Sequence, residues 1–194
     1  MITRFLLSCF LFLAALNLAA QQKADAVIWS KEGLSWDLFQ EVESIGGGNA
    51  LARTFTKLHI VLEDSLSVQQ GQQGVKVKIY ALMIPSLSYV RLSANRKGVL
   101  EHEQIHFDNT ELAARRLRKL LSEEKFTGKD YRKKINKLFH KTASQMSKMQ
   151  ADYDEQHRSK DKGHNWWRHY LDEQFLALSP FQSTELFVPV CDCK

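Results

Sequence analysis

The stretch Leu100-Glu101-His102-Glu103-Gln104-Ile105-His106-Phe107-Asp108-Asn109-Thr110-Glu111 decides how this chain is read. It holds an HExxH pentapeptide, His102 to His106, inside a run patterned as a helix. Residues four apart on an α-helix differ by about 40° in rotation and by one turn in rise, so both imidazoles can reach one ion. Glu103 is turned about 100° from His102, off the direct ligand direction but close enough to hold a water beside that ion. Two ligands for Zn2+, His102 and His106, and a general base, Glu103, are what metal-assisted hydrolysis requires.

Working outward along the helix, Leu112, Ala113, Ala114, Leu117, Leu120 and Leu121 recur among charged residues at three- and four-residue steps. The pattern predicts a helix capped by Ser93 or Asn95 and running to about Ser122. The face with His102 and His106 also presents Asn109 and Ala113, small residues expected to leave space for an ion and a substrate. Glu111 is about 180° around the helix from His102 and about 140° from His106. It is expected to face away and to form an exposed pair with Arg115, while Asp108 also points off the metal face.

Strand signals precede this helix. Thr54 to Leu62 alternates, with Leu58, Ile60 and Leu62 on one side, and Val75, Val77, Ile79, Ala81 and Met83 repeat the pattern. The polar, glycine-rich Gln69 to Gly74 between them predicts a hairpin with a long loop, and Leu87 to Leu92 a third short strand after Pro85. Gly46-Gly47-Gly48 marks a loop without the lysine or spacing of a phosphate-binding turn. Either Val75 to Met83 or Leu87 to Leu92 could bind an extended peptide along its edge.

Helix signals follow. Tyr131, Ile135, Leu138, Phe139, Thr142, Met146, Met149 and Tyr153 form one apolar stripe, predicted to fray in the charged stretch Glu155 to Lys162. Trp166, Trp167, Tyr170, Leu171, Phe175 and Leu178 form another, ending before Pro180, and Glu185 to Val190 reads as an edge strand. The fold class is therefore α+β: an N-terminal antiparallel or mixed β-sheet, then the HExxH helix and two further packing helices.

Residues 1–20 carry one charge, Arg4, before the apolar stretch Phe5 to Leu16 and the small pair Ala19-Ala20, and read as a signal peptide. Residues 21–194 then form a single domain, exported to the periplasm or outside a bacterial cell, with no later segment able to span a bilayer. Cys191 and Cys193, one residue apart, make a strained pair and a poor metal site alone. The net charge of +5 comes mostly from Arg115 to Lys162, where acids are interspersed. A nucleic-acid partner would want a basic stripe interleaved with aromatics, and the aromatics here stand at core spacing.

Trp36 within Leu34 to Phe39, the stretch Ala81 to Val90 and above all the HEQ-x-HFD-x-x-E core of residues 102–111 resemble the DUF922 family of predicted secreted zinc-dependent proteases, over about residues 29–178. The resemblance implies a zincin-like fold and a zinc metallopeptidase acting on a peptide or protein substrate. In that family a histidine follows a Tyr-Asp pair and precedes a tryptophan by about ten residues. By that resemblance His157, after Tyr153-Asp154 and ten before Trp167, is the third zinc ligand, at a shorter Tyr-to-His separation than the family's. His164 and Glu173 are the alternatives; His140 and His169 are further spares, expected at the surface or behind the ligands, and His59 is an exposed strand residue. Tyr153, His164 and Tyr170 are candidates to stabilise the developing oxyanion. The competing functions are a zinc amidase acting on cell-envelope peptides and a non-catalytic zincin-like binding or scaffold protein. A fourth protein ligand closing the site would favour the scaffold.

Overall fold

The computed structural model of the chain describes residues 25–46, 49–63, 65–94, 98–159 and 163–191. Along them run β1 (Val27–Ile28), β2 (Gln40–Val42), β3 (Ala52–Arg53), β4 (Thr56–Leu62), β5 (Ser67–Gln69), β6 (Gln72–Met83), β7 (Tyr89–Arg91), α1 (Val99–Glu123), β8 (Phe126–Thr127), α2 (Tyr131–Ser159), α3 (His164–Ala177) and β9 (Glu185–Cys191). The class is α+β: seven strands precede α1, while β8 falls between α1 and α2 and β9 follows α3. The expected signal peptide, residues 1–20, lies outside the described residues, as do Gly47, Gly48, Asn95 and Cys193. Cys191 is an exposed free thiol. Among the described residues no helix is long and apolar enough to cross a membrane.

Strand β6 is the spine of the larger sheet because its alternation puts Val75, Val77, Ile79, Ala81 and Met83 on one wholly buried face. On one edge it pairs antiparallel with β4, from Thr56 opposite Met83 to Leu62 opposite Val77, and with β5. On the other it pairs antiparallel with β1 and β9. The glycine-rich stretch expected to be a long loop is a two-residue turn, Gln70-Gly71, with φ of 51° and 77°. Two positive φ values are what a tight hairpin needs to match the strand twist, and Gly71 adopts its own without steric cost.

Strand β9, expected at an edge, instead lies inside the sheet between β6 and a parallel β8, which makes the sheet mixed. A second sheet orders β2-β7-β3, with β2 parallel and β3 antiparallel to β7. Residues Pro85–Leu87 turn as a 3-10 helix, so the third strand starts only at Tyr89. Since β6 and β7 each have neighbours on both edges, neither can take up a peptide as the sequence suggested.

Helix α1 is enclosed. Ala114, Leu117 and Leu121 pack with Leu58, Val75, Ile79 and Ile135. Phe107 packs with Leu34, Phe39 and Val90, and Ile105 and Leu112 pack with Tyr153, Trp167 and Leu171. The helix begins at Val99 behind Gly98, later than the Ser93 or Asn95 start. Helix α2 keeps its regular turns to Ser159, beyond the expected fraying, and so carries Asp154 and His157 on a rigid element.

Enclosure corrects two further expectations. Neither Asn109 nor Ala113 lines the cavities beside His102 and His106: both are buried, and Asn109 donates to Gln150 of α2. The Glu111–Arg115 pair is not a surface contact: both residues are 4% exposed, and Arg118, 1% exposed, joins them. The Glu111 carboxylate accepts from Arg115 Nε at 2.9 Å and from Arg118 Nη1 at 3.1 Å. Arg118 also donates to the carbonyls of Ile79 and Phe181, both at 2.8 Å, tying α1 to the sheet and to the segment after α3.

Candidate metal centre

Helix α1 presents His102 and His106 one turn apart, and α2 crosses above them so that Asp154 meets both. His106 Nε2 lies 3.2 Å from His102 Nε2 and 3.1 Å from Asp154 Oδ1, and His102 Nε2 lies 3.3 Å from the same oxygen. Three donors at the corners of a nearly equilateral triangle fit one cation: tetrahedral ligands at about 2.0–2.1 Å from zinc stand roughly 3.3–3.4 Å apart. Among the described residues, His102, His106 and Asp154 form the one group of this kind.

The tautomer of His106 follows from its neighbours. Gln150 Nε2 donates to the His106 carbonyl at 2.7 Å, which fixes the nitrogen end of that amide, and Gln150 Oε1 then accepts from His106 Nδ1 at 2.7 Å. In the neutral ring Nε2 is then left with its lone pair facing the triangle, the outer-shell arrangement usual for ligating histidines, and in the protonated ring it donates to Asp154. His102 Nδ1 is buried without a hydrogen-bond partner among the described residues, and its ring stacks on Tyr153 at 4.6 Å. Tyr153 is fully buried, its hydroxyl likewise without a partner. Burial first, then the charges of Glu103 and Asp154, raise the phenol well above its ordinary range and keep it neutral.

Burial alone would push the Asp154 carboxyl up, but hydrogen bonds from His102 and His106 and their charge take it well below the usual carboxylate range. For His106 burial acts downward, yet the hydrogen bond to Asp154 and the charge of Glu103 leave it raised. These opposed effects are what a cation-seeking cluster of bases and one carboxylate produces in a half-dry site.

Glu103 is buried, and its Oε2 accepts the Thr54 amide at 2.8 Å. It lines a cavity of about 780 Å3 together with Leu51, Arg53, His102, Asp154 and His157. A second cavity of about 330 Å3, bordered by Phe55, Met146 and Gln150, shares Arg53, His106 and Asp154 with the first. The donor triangle thus lies where the two meet, in a groove between residues 49–56 and α2.

The other expected residues fall at different distances from this point. The His157 ring lies 4.7 Å from that of His102, beside the triangle and outside it. Burial, then the charges of His102 and His164, hold its pKa below the ordinary histidine value, favouring the neutral ring. His164, at the start of α3, faces Glu101 with Nε2 3.6 Å from its Oε2. Glu173 pairs with His169 on the exposed side of α3, and the Tyr170 hydroxyl accepts from Arg116.

Asp154, treated in the sequence as a landmark beside Tyr153, is the residue the reading missed. The signal was there: Gln150, Asp154 and His157 follow one another at steps of four and three, a polar stripe beside the apolar one on α2. Two more motif residues serve the opposite side of α1. Asp108 accepts from Trp29 Nε1, Gln104 Nε2 and Arg168, and Gln104 Oε1 accepts the Leu34 amide, so segment 29–34 and α3 are both clamped to the ligand-bearing helix. Gly33 permits this approach, with φ of 79° and room for a Cβ only 3.0 Å from Gln104 Oε1.

Residues 90–163 match the DUF922 family model, described as a bacterial protein of unknown function. The DUF922 match is narrower than the span of the resemblance, running from β7 to Gly163 at the start of α3. It contains His102, Glu103, His106, Asp154 and His157, and leaves His164, Glu173 and the groove wall at residues 49–56 outside. No curated protein and no solved structure matches the chain.

Proposed function

We propose that this chain is an exported, zincin-like, zinc-dependent peptidase whose active centre is the groove over α1. The observation that carries the reading is the triangle of His102 Nε2, His106 Nε2 and Asp154 Oδ1, 3.1–3.3 Å on a side, beside the buried carboxylate of Glu103. His102, His106 and Asp154 would hold the ion. Bound there, zinc would supply Lewis acidity, acidifying water and polarising a carbonyl.

The protein's own part is to orient and to move protons. Gln150 sets the His106 tautomer, and Tyr153 supports the His102 ring from beneath. The Thr54 amide anchors Oε2 of Glu103, which leaves Oε1 to accept a proton from water and deliver it to the departing amine. Cleavage of amide bonds in cell-envelope peptides uses the same groups and differs only in what the groove admits.

One observation favours a second reading. With its ring 4.7 Å from His102, His157 is near enough to become a fourth ligand, and a closed four-ligand site would make zinc structural in a binding protein. Zinc-loaded wild type and Glu103→Gln, assayed with and without chelator on casein, envelope peptides and a peptide library, separate these readings. We expect cleavage that chelator abolishes, and a Glu103→Gln protein with full zinc stoichiometry but at least about 100-fold lower turnover. No turnover by a fully loaded wild type would replace the peptidase with the scaffold.

A further inference from the structure

Residues 51–55 form the groove wall opposite α2; Ala52–Arg53 is strand, entered through a bend at Leu51. The Arg91 amide donates to the Leu51 carbonyl and Arg53 lies opposite Tyr89, so the Ala52 and Thr54 amides face away from β7. The Thr54 amide is taken by Glu103. With Ala52 buried, the alternate residues Leu51, Arg53 and Phe55 share the opposite, exposed side; Leu51 is 41% and Phe55 43% accessible.

Those three exposed side chains are alternate residues, and alternate residues of an extended peptide repeat at about 6.6–6.8 Å. Leu51 borders one cavity, Phe55 the other, and Arg53 both, next to His106 and Asp154. Among the described residues the Arg53 side chain has no hydrogen bond or ion pair. The other groove cation, Arg158, is already paired with Glu155 at 3.2 Å. The groove carboxylates are engaged as well, Asp154 by two imidazoles and Glu103 by an amide. A lone guanidinium between two exposed apolar side chains is complementary to a carboxylate between two apolar ones.

We propose that Leu51, Arg53 and Phe55 select extended peptides in which a glutamate or aspartate stands between apolar residues two positions to either side, its carboxylate seated on Arg53 over the metal centre. The inference rests on the peptidase reading for what happens next, but selection itself is a binding property. Arg53 is exposed, so replacing it leaves the core untouched.

The test uses short fluorescent peptides with the core Val-Ser-Glu-Ser-Leu and its Gln and Lys counterparts. Their Kd values are measured by anisotropy on the zinc-loaded full-length Glu103→Gln protein, with and without Arg53→Gln, Arg53→Lys or Arg53→Glu, and their cleavage by wild type is followed by mass spectrometry. We expect the Glu peptide to bind about tenfold more tightly than the Gln peptide, a preference erased by Arg53→Gln, largely kept by Arg53→Lys and turned towards the Lys peptide by Arg53→Glu. Equal Kd values for the three peptides, or a preference that survives Arg53→Gln, overturn the inference. Equal cleavage of all three leaves hydrolysis standing and removes Arg53 as the selector. Charge-selective binding without cleavage supports Arg53 and overturns the peptidase.

Discussion

Replacing Glu111 with glutamine exposes the difference between the sequence reading and the structure most sharply. As an exposed i,i+4 pair with Arg115, Glu111 would contribute about 0.3–0.5 kcal/mol. In the fold it is the one carboxylate shared by two buried guanidiniums, through contacts of 2.9, 3.1 and 3.4 Å. Glutamine preserves the volume and one acceptor but strands two positive charges where the Arg115 and Arg118 side chains are 5% and 2% exposed. Removing one partner of a buried ion pair costs about 3–5 kcal/mol, which in a domain of this size lowers Tm by about 10 °C. Urea titration followed by circular dichroism, with chelator present so that metal binding does not contribute, gives the stability difference from the shift in midpoint at unchanged slope. A loss under about 0.5 kcal/mol would refute the buried-charge argument and return the pair to the surface.

Two further outcomes follow from the geometry. Asp154→Asn should weaken zinc binding at least about 100-fold in a chelator competition, and His157→Ala by less than about tenfold; the reverse order would make His157 the third ligand and Asp154 a neighbour. Gly33→Ala should cost about 1–3 kcal/mol in a thermal or urea melt, from the left-handed φ and the Cβ driven against Gln104; a neutral substitution would show that segment 29–34 is not held as described.

The regular parts of the fold were legible because their apolar periods are uninterrupted. The stripe from Tyr131 to Tyr153 and the alternation in β4 and β6 each name an element and its buried face. What periodicity does not carry is which face meets which. Glu111, Arg115 and Arg118 look like a solvated flank on a helical wheel, and only the carbonyls of Ile79 and Phe181, distant in sequence, show that they lie inside. His102 and His106 were set by the local geometry of one helix. Asp154 needed the crossing of α2 over α1: the polar stripe of Gln150, Asp154 and His157 marks a face of α2, but only the tertiary packing shows that this face meets the two histidines. The same limit explains the peptide edge: β6 and β7 read as good strands, and nothing in them reveals that both sides are occupied.

The interior place of β9 bears on how the molecule is made. Val188 pairs with Val75, so the sheet is sealed by a contact spanning more than 100 residues. Such remote closure is slow, because the loop entropy of the whole helical half has to be overcome before any ladder bond repays it. Until then β6 lacks the strand that flanks Gly74 to Lys78. Under the export we propose, in which an unfolded chain threads a secretion pore, that delay would be an advantage: the seal would form last, on the far side.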